Sequence, residues 1–146
     1  MAINFINMKI YKIKINLNTL SSLLFVSNII HLWQKNESRY LMSWIILCLS
    51  SIIYHQTKNK YILIIDKLAI YNVTCNGLIC YLKYEIELTQ RALIILTFIC
   101  VNYLYFIGYI YSKFIYDKKH GSKYHVLMHF IGCVGHHLIT YNIKKI

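Results

Sequence analysis

Five long apolar stretches separated by short charged segments limit the folds open to this chain. Each stretch has about the twenty residues that a helix needs to cross a bilayer. A soluble domain carries roughly a quarter of charged residues, whereas this chain of 146 residues is 14% charged and 58% hydrophobic. The pattern predicts an all-α integral membrane bundle of about five transmembrane helices. We expect helices near residues 17–33, 40–57, 61–82, 90–114 and 123–143.

The first stretch follows a basic leader of about residues 1–16, so it could instead be a signal peptide. Its apolar run is long and it lacks a small-residue cleavage site. We therefore expect a retained span. With that span, residues 1–146 form a single membrane domain.

The formal net charge of +11 has two readings. A basic protein can bind nucleic acid, but these lysines lie between the apolar stretches rather than along one helix face. Lysines at the ends of membrane spans are typical of multi-pass proteins. We therefore exclude nucleic acid as a partner. The slight excess of lysine where the second stretch ends and the third and fifth begin predicts that this side faces the cytoplasm.

Five polar residues stand out because burying them in apolar segments is costly. They are Ser51, His55, Asp66, His125 and His129. If the stretches alternate in direction, the histidines and the aspartate lie within about 10 Å of one membrane face, and residues four apart share a helix face. Three imidazoles leave a fourth position open for water, as a catalytic zinc site requires. The spacing therefore predicts His55, His125 and His129 as metal ligands, with Asp66 and Ser51 in support.

Each of these residues also has a simpler interpretation. A lone histidine at a span end is commonly interfacial, a helix serine can bond back to its own backbone, and two histidines can form a proton relay or interhelical hydrogen bonds. Four further groups are weaker ligand candidates because they do not share the common depth: His31, His120, Cys133 and His136. His137 is interpreted as an interfacial or packing residue.

The three polar segments resemble the CREST superfamily of seven-span membrane proteins. That superfamily includes alkaline ceramidases, progestin and adiponectin receptors, and haemolysin III-type proteins. The resemblance rests on Ser51-Ile-Ile-Tyr-His55, on Asp66-Lys-Leu-Ala-Ile-Tyr71, and on His125-Val-Leu-Met-His129. It covers roughly residues 47–72 and 124–139. With about five spans, the chain would be a shortened version of the family fold.

The resemblance implies a zinc-dependent membrane hydrolase that acts on a lipid amide such as ceramide. In that case the three histidines hold Zn²⁺, Asp66 acts as the acid–base group, and Ser51 donates a hydrogen bond. The same ligands also occur in receptor-like and haemolysin III-like proteins, so a non-enzymatic membrane protein with a structural zinc site is the alternative. A bundle that has lost its activity is a third hypothesis, and the oligomeric state stays open.

Overall fold

The computed structural model describes residues 16–111 and 118–143, and within these residues every regular element is helical. This confirms the all-α prediction for the described part. The basic leader, apart from Asn16, lies outside it. The elements are α1 Leu17–Ser22, α2 Phe25–Lys35, α3 Ser38–Thr57, α4 Lys60–Lys83, α5 Leu88–Tyr103, a π-helix Leu104–Tyr111 that continues α5, and α6 Lys118–Tyr141.

The first apolar stretch is not one continuous helix, so the prediction of a single helix over 17–33 is wrong. It breaks at Leu23 and Leu24 into α1 and α2, which are six and eleven residues long. The amides of both leucines bond carbonyls three residues back, each at 3.1 Å. Just before the break, the hydroxyls of Ser21 and Ser22 bond the Asn18 carbonyl at 2.8 and 3.0 Å. Hydroxyl bonding of this kind competes with regular helix geometry.

The predicted helix over 90–114 also differs in detail. Its second half is a π-helix from Leu104 to Tyr111, and residues 112–114 lie outside the described part. This segment packs on the beginning of α6 at Gly108, where a Cβ would lie only 2.7 Å from the ring of Tyr124. A side chain at that position would therefore push the two elements apart.

A two-residue connection turns α3 directly into α4. Lys58 takes the left-handed conformation at φ 54°, which is a common way to end a helix. Asn59 then caps α4, because its side-chain oxygen accepts the Tyr61 amide at 2.8 Å. The hairpin places the end of α3, with His55, beside the beginning of α4, with Asp66.

Between its two ends, the exposed face of α3 is apolar, unlike that of a helix at the surface of a soluble protein. It carries Met42, Ile46, Leu49 and Ile53. Its buried face carries Ser43, Ser50, Ser51 and His55 beside the apolar Tyr40, Trp44, Leu47 and Cys48. Ordinary domains place polar side chains outside, so this helix is better suited to apolar surroundings.

Two of the described helical stretches are long and apolar enough to cross a membrane by length and composition, where about five were expected. They are Lys60–Lys83 and Leu88–Phe106, each with mean hydropathy 1.4. Only 22% and 11% of their most apolar windows are buried in the protein. Their apolar surface is therefore largely uncovered by the rest of the chain.

Helix α6 packs against α1, α2, α4 and α5, and α3 packs against α1, α2 and α4. The apolar core between them includes Phe25 and Trp44, whose rings meet edge to face at 5.4 Å. This packing, with α1 against both helices, brings the end of α3 and the beginning of α6 together. The histidines predicted as metal ligands lie there.

Candidate metal centre

The three predicted ligand histidines converge at one end of the bundle. His55 lies in the last turn of α3, and His125 and His129 lie in the first half of α6. The Nε2 atoms of His55 and His125 are 3.0 Å apart. One ring nitrogen from each of the three histidines can be chosen so that all lie within 4.8 Å of one another. The expected convergence is therefore confirmed.

The cluster is enclosed by the protein. The side chains of His55 and His129 are 3% and 7% exposed, and His125 is partly buried. The ring of Phe25 lies 4.8 Å from that of His129 and closes one side. Imidazole nitrogens gathered in such a place can bind a metal ion, and they suit Zn, Cu, Fe and Ni. The arrangement by itself leaves the identity of the metal open.

Ser21 determines which nitrogen of His129 is available to a metal. Its hydroxyl lies 2.8 Å from the Asn18 carbonyl oxygen, which can only accept, so the single hydroxyl hydrogen is used there. With the hydroxyl hydrogen on that carbonyl, the ring is the donor in the contact of 2.9 Å between Ser21 Oγ and His129 Nδ1. Nε2 of His129 is left with its lone pair. A ligand histidine held through its other nitrogen is typical of metal sites.

Helix α1 connects the two helices that carry the ligands. The side-chain amide of Asn16 donates to the carbonyl of His55 at 3.0 Å, and its oxygen caps α1 at Thr19. The side chain of Asn18 accepts a bond from Ser122, near the beginning of α6. The short helix thus holds the end of α3 and the beginning of α6 in one arrangement.

The sequence analysis missed Ser21, although a signal was present. Ser21 and Ser22 are polar residues in an apolar stretch, 5% and 0% exposed, and face the same desolvation cost as Ser51. With alternating spans the first stretch begins on the side that carries the histidines. The depth argument used for Asp66 would also have included the two serines.

Asp66 and Ser51 are both buried, and each bonds with a serine. Asp66 Oδ1 is 3.1 Å from the hydroxyl of Ser50, a residue that the sequence analysis passed over. Ser51 Oγ is 2.9 Å from Ser22 Oγ. Since the Ser22 hydroxyl donates to the Asn18 carbonyl, Ser51 is the donor between them. The supporting roles of Asp66 and Ser51 toward the histidines stay predictions.

A positive charge faces the other side of His55. Lys58 Nζ lies 3.4 Å from His55 Nδ1, while Nε2 of the same ring meets His125. An ammonium group so close to a ligand opposes the binding of a divalent cation through charge repulsion. Lys58 therefore weakens the affinity of this centre for metal when it takes this position.

Comparison of the chain with protein-family models, with curated proteins and with solved structures finds no match.

Proposed function

We propose that this protein is a multi-pass membrane protein that binds Zn²⁺ through His55, His125 and His129 and hydrolyses a lipid amide. The observation that carries the proposal is the convergence of these histidines, with one ring held by Ser21. Three neutral nitrogen ligands with a fourth position for water are the donor set of catalytic zinc sites. The resemblance to the CREST superfamily supports zinc over other metals and a ceramide-like amide as substrate.

The membrane part of the proposal is supported by the apolar outer face of α3 and by the polar side chains that are buried behind it. Buried ionisable side chains in apolar helices mark functional sites in membrane proteins. The two uncovered apolar stretches, Lys60–Lys83 and Leu88–Phe106, need lipid or another apolar partner on their outer surface. The distribution of lysines favours the cytoplasmic face for the histidine cluster.

The side chains around the cluster have distinct roles in this proposal. A bound Zn²⁺ would polarise the amide carbonyl and lower the pKa of a water molecule to near neutrality. Asp66 would accept a proton and return it to the leaving amine. Ser51 would turn its hydroxyl from Ser22 toward the developing oxyanion. A lipid amide suits a site beside Lys58, where the apolar bundle meets its polar boundary.

The second candidate is a non-enzymatic, receptor-like or haemolysin III-like protein in which zinc is structural. The bonds of Asp66 and Ser51 with Ser50 and Ser22 favour this candidate, because they occupy both supporting groups. A structural site needs only ligands that are well held. Both candidates retain zinc, and only the hydrolase turns over an amide.

The test measures metal content and hydrolysis on the same detergent-purified protein. We expect about one zinc at the histidine cluster and hydrolysis within a panel of ceramides and other N-acyl amides. Removal of zinc with a chelator should abolish hydrolysis, and added zinc should restore it. His129→Asn serves as the matched control that loses both. Bound zinc without turnover of any amide would support the structural candidate, and absence of zinc would refute the metal centre.

A further inference from the structure

A second pair of histidines meets at the opposite end of the bundle. His31 lies in the second half of α2, and His137 lies four residues before the end of α6. His137 follows His129 by eight residues on the same helix, a rise of about 12 Å. The pair is therefore separate from the three-histidine cluster. The sequence analysis ranked His31 low and interpreted His137 as a packing residue.

One nitrogen atom of each ring lies next to a nitrogen atom of the other. The Nδ1 atoms of His31 and His137 are 3.1 Å apart, and the ring centroids are 5.3 Å apart. Two imidazoles on one tetrahedral ion, with bonds of about 2.0–2.1 Å, place their nitrogens about 3.3 Å apart. The Nε2 atoms of His55 and His125 in the three-histidine cluster are nearly as far apart, at 3.0 Å. A metal ion therefore needs little rearrangement to bind between the rings.

Ser27 fixes the state of His137. The Ser27 hydroxyl donates to the Leu24 carbonyl at 2.7 Å, so its hydrogen is used. The contact of 2.9 Å between Ser27 Oγ and His137 Nε2 is then donated by the ring. Nδ1 of His137 is left with a lone pair directed at His31. This repeats the arrangement of Ser21 and His129, in which a serine bonded to its own helix holds one ring nitrogen.

The neighbouring groups leave the pair accessible. Both histidines are partly exposed. The nearby ammonium group of Lys35 is held by the carbonyl oxygens of Tyr141 and Ile143, at 3.3 and 2.7 Å. Its charge is directed at the end of α6, where it complements the helix dipole. The charge of Lys35 is therefore occupied at the end of α6, and the two rings reach the surface of the protein.

We infer that His31 and His137 form a second metal site, which binds a divalent transition-metal ion with water in the remaining positions. Two imidazoles with open positions bind Cu²⁺ most tightly, ahead of Ni²⁺ and Zn²⁺. The inference does not depend on zinc or catalysis at the first cluster. The competing account is a direct hydrogen bond from Nδ1 of one ring to Nδ1 of the other, with no role for metal.

The test titrates Cu²⁺ into the detergent-purified protein and follows binding by calorimetry and by the nitrogen hyperfine structure of its electron paramagnetic resonance spectrum. The number of copper ions bound per chain distinguishes the two centres, because each variant should lose the copper of one centre only. A His129→Asn variant should keep the copper of the second site, whereas His31→Gln and His137→Gln should each lose it. Size-exclusion chromatography and circular dichroism confirm that each variant is folded.

Ser27→Ala provides a second measurement that spares both ligands. It should weaken copper binding at the second site by about tenfold, as the loss of a partner that orients a ligand does. Thr74→Ala is the matched control, because this half-buried threonine also bonds its own helix, at the Ile70 carbonyl. Copper binding that is unchanged in His31→Gln and His137→Gln would overturn the inference. The histidine contact would then be a hydrogen bond alone.

Discussion

Removing the Ser21 hydroxyl should weaken zinc binding without disturbing the fold. Ser21 contacts His129 at 2.9 Å and leaves Nε2 as the only lone pair of that ring. In Ser21→Ala the ring can rotate or move its proton to Nε2, and each change must be reversed before metal binds. The substitution removes one buried oxygen and keeps the Cβ, so it creates only a small cavity.

The expected magnitude follows from other metal sites. Loss of a group that orients a ligand histidine reduces metal affinity by about 10- to 100-fold, or about 1.4–2.7 kcal/mol of binding free energy. The dissociation constant for Zn²⁺ can be measured in detergent by competition with a coloured chelator. The wild type, Ser21→Ala and one neighbouring variant are compared under the same conditions.

Ser22→Ala is the matched control for this experiment. Both serines are buried in the last turn of α1 and bond the same Asn18 carbonyl, but Ser22 contacts Ser51 instead of a histidine. Its zinc affinity should stay within about twofold of the wild type. If Ser21→Ala binds zinc as the wild type does, the orientation argument is refuted. An equal loss of zinc affinity in both variants would show that the substitutions act by destabilising α1 as a whole.

Three further changes test other parts of the structure. Lys58→Gln should increase zinc affinity severalfold, because it removes a positive charge 3.4 Å from a ligand ring; the same competition assay measures this, and a loss of affinity would contradict it. Gly135→Ala should lower the free energy of unfolding by about 1–3 kcal/mol, since its Cβ would overlap the Thr97 hydroxyl. Gly132→Ala is the control, because the nearest atom to its Cβ would be 3.8 Å away. Equal melting temperatures of the two variants would argue against this packing. Asp66→Asn should keep its zinc and lose hydrolysis by about a hundred- to ten-thousand-fold; full activity would leave the aspartate a structural role.

Much of the helical pattern could be predicted because charged turns bound the apolar runs. The helices expected at 40–57 and 61–82 are found at Ser38–Thr57 and Lys60–Lys83. The break within the first stretch could not be seen in hydropathy. It follows two serines whose hydroxyls bond one backbone carbonyl, and it falls on Leu23 and Leu24, which are as apolar as the rest of the stretch. The π-helix, which contacts Tyr124 at Gly108, likewise has no counterpart in the hydropathy pattern.

The candidate metal centre could likewise be predicted only in part. The histidines could be found because their common depth depends only on position along alternating helices. The bonding partners could not, because a serine hydroxyl reaches just one atom and its choice depends on packing. Asp66 meets Ser50 rather than a histidine, and Ser51 meets Ser22. Sequence spacing places such groups near one another without deciding which of them bond.

The short turn at Lys58 and Asn59 also affects the order in which the protein assembles. Helices α3 and α4 can pair as soon as both exist, because closing so small a loop costs little chain entropy. The contact between His55 and His125 spans 70 residues and must await the synthesis of α6. The histidine cluster is therefore completed late. A metal ion bound there would link α6 to the hairpin of α3 and α4, which has already formed.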